Sequence, residues 1–462
     1  MIGNQTMART KAKNYFVIID SIEVTGNVHS KRFVIEKELL FKKDSIYRLG
    51  DLNEMAYDSK NLLLNTNLFI TTDVTWKEVR YQHIHVQVTV TEKWYIWPIP
   101  KFNLADRNYK QWADLGYKMN RTNYGIQWRT YNFRGRNETV KINLINGYTQ
   151  NFALTYTVPF LEKSGKLGLD FNTSYTQNRE IWYLTRDNHL QFYKNYDHVL
   201  IKRWLNNVAL TTRRTNFATE RIELEYNLIT LHDTISSKSL NPNYLVQGNR
   251  QQEFTVRHVL HYEKRDNKYY PLEGFYARNE LSLSSLKGDS GSVEMVRESL
   301  EAGYYKPVSK RFFVSVYGKV RYTNQPEPYL PYFNYKAFGY NDYVRGYEQY
   351  VIDGYAFGLV KTNLKFALLN RYLVKIPIKI NKKHPYIPFG IFLNLYCDYG
   401  KVSGNQWRSI EYSYNNNLIG KDLLGYGPGL DFVLMNDKIL RMEYSYNSLG
   451  DKNFNLHFKK AF

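Results

Sequence analysis

Cysteine occurs once in 462 residues, at Cys397. That excludes a disulfide framework and any metal site built from several thiolates. No run of about 18 apolar residues exists, so a helical membrane span is excluded. Glycine (27) and proline (13) are at ordinary frequency, which rules out a collagen-like or low-complexity chain. A GxSxG elbow, an HExxH pair and a phosphate loop are all missing, and no acid–base spacing stands out. The expectation is therefore a protein that is not an enzyme and needs no cofactor. Residues 1–10 lack the apolar stretch of a signal peptide, which leaves either a cytosolic chain or one whose signal has been removed.

What is abundant is positive charge and aromatic surface. Lysine and arginine outnumber aspartate and glutamate 63 to 43, a net charge of +20, and aromatics make up 16%. The basic residues are scattered rather than bunched; Lys382-Lys383-His384 is a typical knot. A scattered pattern fits a solvated surface or a polar lumen, not nucleic acid. Anionic membrane lipid stays open as a partner.

The first 92 residues carry mixed periods. Phe16, Ile18, Ile22 and Val24 read as a strand ending at the Gly26-Asn27 turn. Ser30 is placed to cap a short helix bearing Phe33, Val34 and Leu39. Asp51 and Glu54 have capping-box spacing before a second helix with Met55, Leu62 and Leu63 on one face. Strands follow over 70–76 and 84–90. The expectation is an α+β domain, a three-stranded sheet with two helices on one face and 70–76 at its edge.

Residues 93–462 have almost no helical period. Tyr124, Ile126 and Trp128 alternate with Gly125, Gln127 and Arg129; Leu393 and Leu395 alternate with Asn394 and Tyr396. Alternation alone also suits a soluble sandwich. Long strands, aromatic residues at strand ends, and connections that vary from short to very long favour a transmembrane barrel. Sixteen strands are predicted: 95–104, 124–132, 139–148, 151–159, 166–177, 198–213, 220–231, 252–263, 275–286, 292–305, 311–323, 355–369, 386–400, 422–434, 439–446 and 453–462. The stretch 181–193 could form an extra strand, but an even strand count assigns it to strand extension and outer loop.

Several residues carry candidate roles. Val344-Arg345-Gly346-Tyr347 lies in the longest connection, 324–354. Asp398 shares the inward parity of Asn394 and Tyr396. If that loop folds inward as a plug, Arg345 can pair with Asp398. A lumen also holds many charges, and no one pair need be special. Pro98 and Pro100 withhold two donors from one edge of the first barrel strand. The same segment also reads as a stiff linker. In the last strand Phe454, Leu456, Phe458 and Phe462 fall on the lipid side, with Lys460 snorkelling. His83 and His85 share a strand face, either an exposed sheet face or a metal pair.

These motifs resemble a known family. The N-terminal unit is similar to a polypeptide-transport-associated (POTRA) domain. The Val344–Tyr347 loop, the Tyr396-x-Asp398-x-Gly400 strand, the Arg265-Asp266…Tyr270-Pro271…Gly274 turn, Gly427-Pro428-Gly429 and Phe462 together resemble the BamA/TamA-type outer-membrane assembly-factor superfamily. The short single-POTRA form is most similar to Bacteroidetes members. The resemblance implies a 1–92 POTRA-like domain in the periplasm, followed by an all-β, 16-stranded antiparallel transmembrane barrel over 93–462 in the bacterial outer membrane. It implies that Arg345 packs against Asp398 beside Gly400. It implies a closing seam between the strand of Pro98 and Pro100 and the strand of Phe462. Where the family often carries a glutamate, this chain has Asn363, flanked by Lys361 and Lys365. The implied partners are unfolded outer-membrane proteins, lipopolysaccharide or anionic lipid, and accessory subunits. A two-partner-type secretion pore and a passive or structural barrel remain alternatives.

Overall fold

The computed structural model describes residues 15–104, 116, 122–162, 164–195, 197–237, 240–324, 330–375, 386–404 and 416–460. No helix among them is long and apolar enough to cross a membrane.

The N-terminal unit runs β1 (Phe16–Thr25), α1 (Arg32–Glu36), β2 (Ile46–Arg48), α2 (Leu52–Asn65), β3 (Phe69–Arg80) and β4 (His83–Glu92). Its sheet has four strands in the order β2-β1-β4-β3, one more than expected. The addition, β2, is three residues long, too short to show a period. β1 and β4 pair in parallel, as a crossover carrying helices requires. β3 stands at an edge.

The core face of β1 begins with Val17 and Ile19, while Phe16 is exposed. An irregularity between Ile19 and Ser21 then restores Ile22 and Val24 to the packed side. A strand period of two inverts when one residue is inserted, which is why the expected Phe16–Ile18 face is the wrong one at that end. The expected caps also differ. Lys31, not Ser30, precedes α1, and Asp51 makes no side-chain cap because it already lies in a helical turn. Glu54 reaches outward to Lys264 instead.

The remaining strands are β5 (Ile96–Leu104), β6 (Thr122–Phe133), β7 (Glu138–Gly147), β8 (Thr149–Val158), β9 (Leu167–Asn178), β10 (Glu180–Arg186), β11 (His189–Lys194), β12 (Ile201–Arg213), β13 (Ala218–Leu231), β14 (Arg250–Arg265), β15 (Gly274–Lys287), β16 (Ser292–Pro307), β17 (Phe312–Thr323), β18 (Lys336–Phe338), β19 (Ile352–Asp353), β20 (Ala356–Lys375), β21 (Tyr386–Ser403), β22 (Leu423–Leu434), β23 (Lys438–Asn447) and β24 (Lys452–Lys460). Sixteen of them form one antiparallel sheet running in chain order from β5 to β24. Among the described residues β10 and β11 form a two-stranded sheet of their own, as do β18 and β19, and Phe338 of β18 makes an isolated bridge to Asp342. Residues 181–193 thus form a separate hairpin.

Outward positions such as Val208, Leu210, Ile222 and Leu224 are apolar and exposed, while Asn227, Glu253, Asn394 and Asp398 are buried on the inner side. That division is the membrane-barrel pattern, with polar groups inside and lipid-facing groups outside.

Candidate functional site

The long connection between β17 and β20 enters the barrel. Val344 is fully buried, and a side chain at Gly400 would collide with it, at 2.5 Å from its Cγ2. Gly425 allows equally close approach of the Arg345 carbonyl. Both glycines thin the wall where the loop backbone lies. Gly346 takes φ +91°, turning the chain directly after the arginine. Tyr347 is buried and its hydroxyl bonds Ser448.

Arg345 is 3% exposed and Asp398 0%. The Arg345 Nε donates to Asp398 Oδ2 at 2.8 Å, and a second guanidinium nitrogen donates to Oδ1. Nη1 donates to Asn363 Oδ1 at 2.9 Å and to Glu443 Oε1 at 3.2 Å. The guanidinium carbon lies 3.9 Å from the centre of the Tyr396 ring. The acid missing at Asn363 is therefore supplied by Glu443 on β23, ninety-eight residues from Arg345 in sequence. No local spacing marks Glu443, and the sequence reading did not find it.

A second insertion fills the other mouth. The turn between β14 and β15 sends Tyr270 into the lumen, where its hydroxyl donates to Asp431 at 2.9 Å. Arg441 donates to both oxygens of Asp431, at 2.7 and 2.9 Å. Tyr270 and Leu272 pack with Phe313, Ala367, Phe392, Val433 and Ile439. Lys365 lies over the Tyr270 ring. The lumen is thus occupied from both ends.

The seam is the third feature. The sheet order ends at β5 on one side and β24 on the other, and among the described residues no ladder joins the two. Phe454, Leu456 and Phe458 on β24 are each at least 60% exposed, whereas Val256 and Leu260 on the doubly paired β14 are 36% and 40%. Immediately before β5, the Tyr95 carbonyl accepts a hydrogen bond from the Tyr131 N–H at 2.8 Å, so odd-numbered positions direct their backbone groups to β6. Pro98 and Pro100 have the opposite parity, and their missing donors fall on the outer edge of β5. Phe462 lies outside the described residues.

The Omp85 superfamily domain matches residues 132–458, more than half of the sequence. The chain belongs to the Omp85 superfamily. BamA from Haemophilus ducreyi, in a crystal structure lacking POTRA domains 1–3, superposes with a TM-score of 0.51 at 14% identity, covering 96% of this chain and 83% of that one. CdiB from Escherichia coli gives 0.55 at 12% identity, covering 96% and 75%. At these identities the likeness is one of fold. No curated protein sequence matches the chain.

In this Omp85 chain the N-terminal unit is fastened to the barrel turns. Buried Glu38 and half-buried Arg213 form an ion pair. The Asn65 side chain donates to the Arg265 carbonyl at 3.0 Å and accepts from the Lys268 N–H at 2.9 Å. Tyr57 donates to Glu273 at 2.8 Å; burial and that carboxylate push its hydroxyl up to about 12. Ser30, expected as a cap, instead bonds Asn132 and Tyr95. Lys93 faces Asp437 at 3.4 Å, and burial pulls its ammonium down to about 8. His83 bonds Asp20, and His85 bonds Ser21 and Glu23, so each imidazole is engaged separately.

Proposed function

We propose that this Omp85 chain inserts or translocates other proteins at the outer membrane by exchanging strand pairing at the β5–β24 seam. The observation that carries the reading is the absence, among the described residues, of a ladder between those strands, together with the two prolines on the open edge of β5. Inside lipid an unpaired backbone group has no water to bond, so each such group favours capture of an incoming strand. The energy comes from strand pairing, and the reaction needs no nucleotide, cofactor or catalytic residue.

The N-terminal unit sits in the periplasm in this reading. Its edge strand β3 offers a second place where an extended, unfolded outer-membrane protein can add a strand. Accessory subunits would dock on this single domain. Lipopolysaccharide or anionic phospholipid is the expected lipid partner. The Arg345 and Tyr270 insertions leave little room for a passive channel.

The test is reconstitution in liposomes with an unfolded barrel protein as client. In a Cys397→Ser background, cysteines scanned through residues 97–101 against residues 453–457 would lock the seam. A locked protein that stays folded and loses client folding supports the proposal. Full insertion by the locked protein refutes it. A locked protein that still exports a soluble client favours a secretion pore instead.

A further inference from the structure

Where the N-terminal unit meets the β8–β9 and β12–β13 turns there is a groove of about 520 Å³. Its lining is strongly basic. Three arginines in it are already matched: Arg32 by Glu36, Arg213 by Glu38 and Arg214 by Glu220. Four lysines are not. Lys37, Lys42, Lys43 and Lys166 line the same groove, and among the described residues none has an ion-pair partner. Glu36 is the single acid in the lining. Three of the four, Lys42, Lys43 and Lys166, are exposed to solvent, and together they give the groove a positive potential that attracts an anion.

The arrangement is built rather than incidental. Gly165 takes φ +70° in the β8–β9 turn, and a Cβ there would sit 2.8 Å from Lys37 Cδ. Glycine therefore lets the lysine stem cross the turn. The Asn216 side chain holds the α1 exit by donating to the carbonyls of Lys37 and Leu39. Phe33, Leu39 and Phe41 give the groove an apolar floor, and Leu161 stands exposed on the adjoining turn. Apolar and cationic walls together suit an amphiphile better than a free ion.

Its height on the barrel agrees. Leu210 and Ile222 are opposite each other and exposed, near the end of the lipid-facing stripe. Arg213 follows Leu210 by three residues, roughly 10 Å of strand. With the usual barrel tilt this falls within the headgroup layer, about 5–7 Å thick on each side of the hydrocarbon.

We infer that this groove seats the phosphodiester headgroup of an anionic phospholipid, drawn from the leaflet on the N-terminal unit's side. The inference rests on the periplasmic placement proposed above. The bound lipid would bridge the unit to the barrel beside the Glu38–Arg213 pair, so membrane composition would set how firmly the two are joined.

The experiment uses the full chain, delipidated in neutral detergent and titrated with phosphatidylglycerol by native mass spectrometry. Phosphatidylethanolamine gives the baseline. Near a membrane surface each lysine contributes about fivefold to anionic-lipid affinity, so Lys37→Ala/Lys42→Ala/Lys43→Ala should weaken phosphatidylglycerol binding roughly 100-fold. Lys43→Glu alone, at an exposed position, should weaken it in the same direction. Lys306→Ala/Lys310→Ala/Arg311→Ala removes equal charge from the exposed end of β16 and the turn after it and should leave it within about threefold. Displacement by millimolar inorganic phosphate would assign the site to a free anion and overturn the lipid. Phosphatidylglycerol selectivity unaffected by the groove substitutions would refute the groove and leave the orientation standing. Lysine-dependent binding of lipid A in place of phosphatidylglycerol would refute both.

Discussion

Replacing Arg345 by alanine is the sharpest test of the lumen network. The substitution leaves Asp398 and Glu443, 0% and 1% exposed, facing a cavity with their shared cation removed. An uncompensated buried charge costs about 3–5 kcal/mol. Part is recovered, because Lys361 lies 3.9 Å from Asp398 and Arg441 lies 3.8 Å from Glu443. The cost falls on the loop. If the loop leaves, water hydrates both carboxylates; if it stays, they remain dry. A net of about 3 kcal/mol raises the open population of the loop roughly 100-fold, while the barrel stays folded. Val351, fully buried in the same loop, provides the reporter. In Cys397→Ser protein, maleimide labelling of Val351→Cys should accelerate roughly 100-fold when Arg345→Ala is added. Asp398→Ala should do likewise, and the double variant should fall well short of the two effects summed. Labelling within threefold of the parent, or full additivity, would refute the claim that this pair fixes the loop.

Three further outcomes follow from the geometry. Tyr270→Phe removes the hydroxyl from Asp431 and should cost about 1–2 kcal/mol of barrel stability, read from heat-modifiable gel mobility, with the second mouth loosened. Glu38→Gln strips the buried partner of Arg213 and should increase hydrogen exchange across residues 32–41 and 213–218, with β20–β22 unchanged. Lys93 has a folded pKa of about 8, below its unfolded value, so the unfolded chain binds more protons above that pH. Stability should therefore rise as pH climbs from about 8 toward the ordinary lysine range, and Lys93→Met should flatten that rise in chemical-denaturation curves.

Much of the fold was legible because period two is a strong and repeated signal. Leu393, Leu395 and Tyr399 point outward, and Asn394, Tyr396 and Asp398 inward, as their alternation requires. The same rule misread the start of β1, where one irregularity inverts the parity. Residues 181–193 look strand-like and are strand, yet they leave the sheet, because pairing partners are not written in a segment's own period. Caps failed for a related reason. Ser30 and Glu54 have the right spacing for local bonds, but tertiary partners, Asn132 and Lys264, hold them instead. Arg345 and Asp398 could be paired through parity and loop length. Glu443 and the Tyr270–Asp431–Arg441 cluster could not, since their partners come from strands distant in sequence and have no spacing to betray them.

The unmade ladder between β5 and β24 also has a kinetic side. Every ladder in the sixteen-stranded sheet joins strands that follow one another in the chain or are separated by one inserted pair of short strands, β10–β11 or β18–β19. Joining β5 to β24 would instead bring together residues about 350 positions apart, the slowest contact the topology could demand, because the search lengthens with the chain to be closed. Leaving it unmade lets the sheet assemble by adding neighbouring hairpins. Substitutions along the free edges of β5 and β24 should therefore leave the protein's own folding rate almost unchanged, whereas changes at the β17–β20 pairing, which spans the long inserted loop, should slow it.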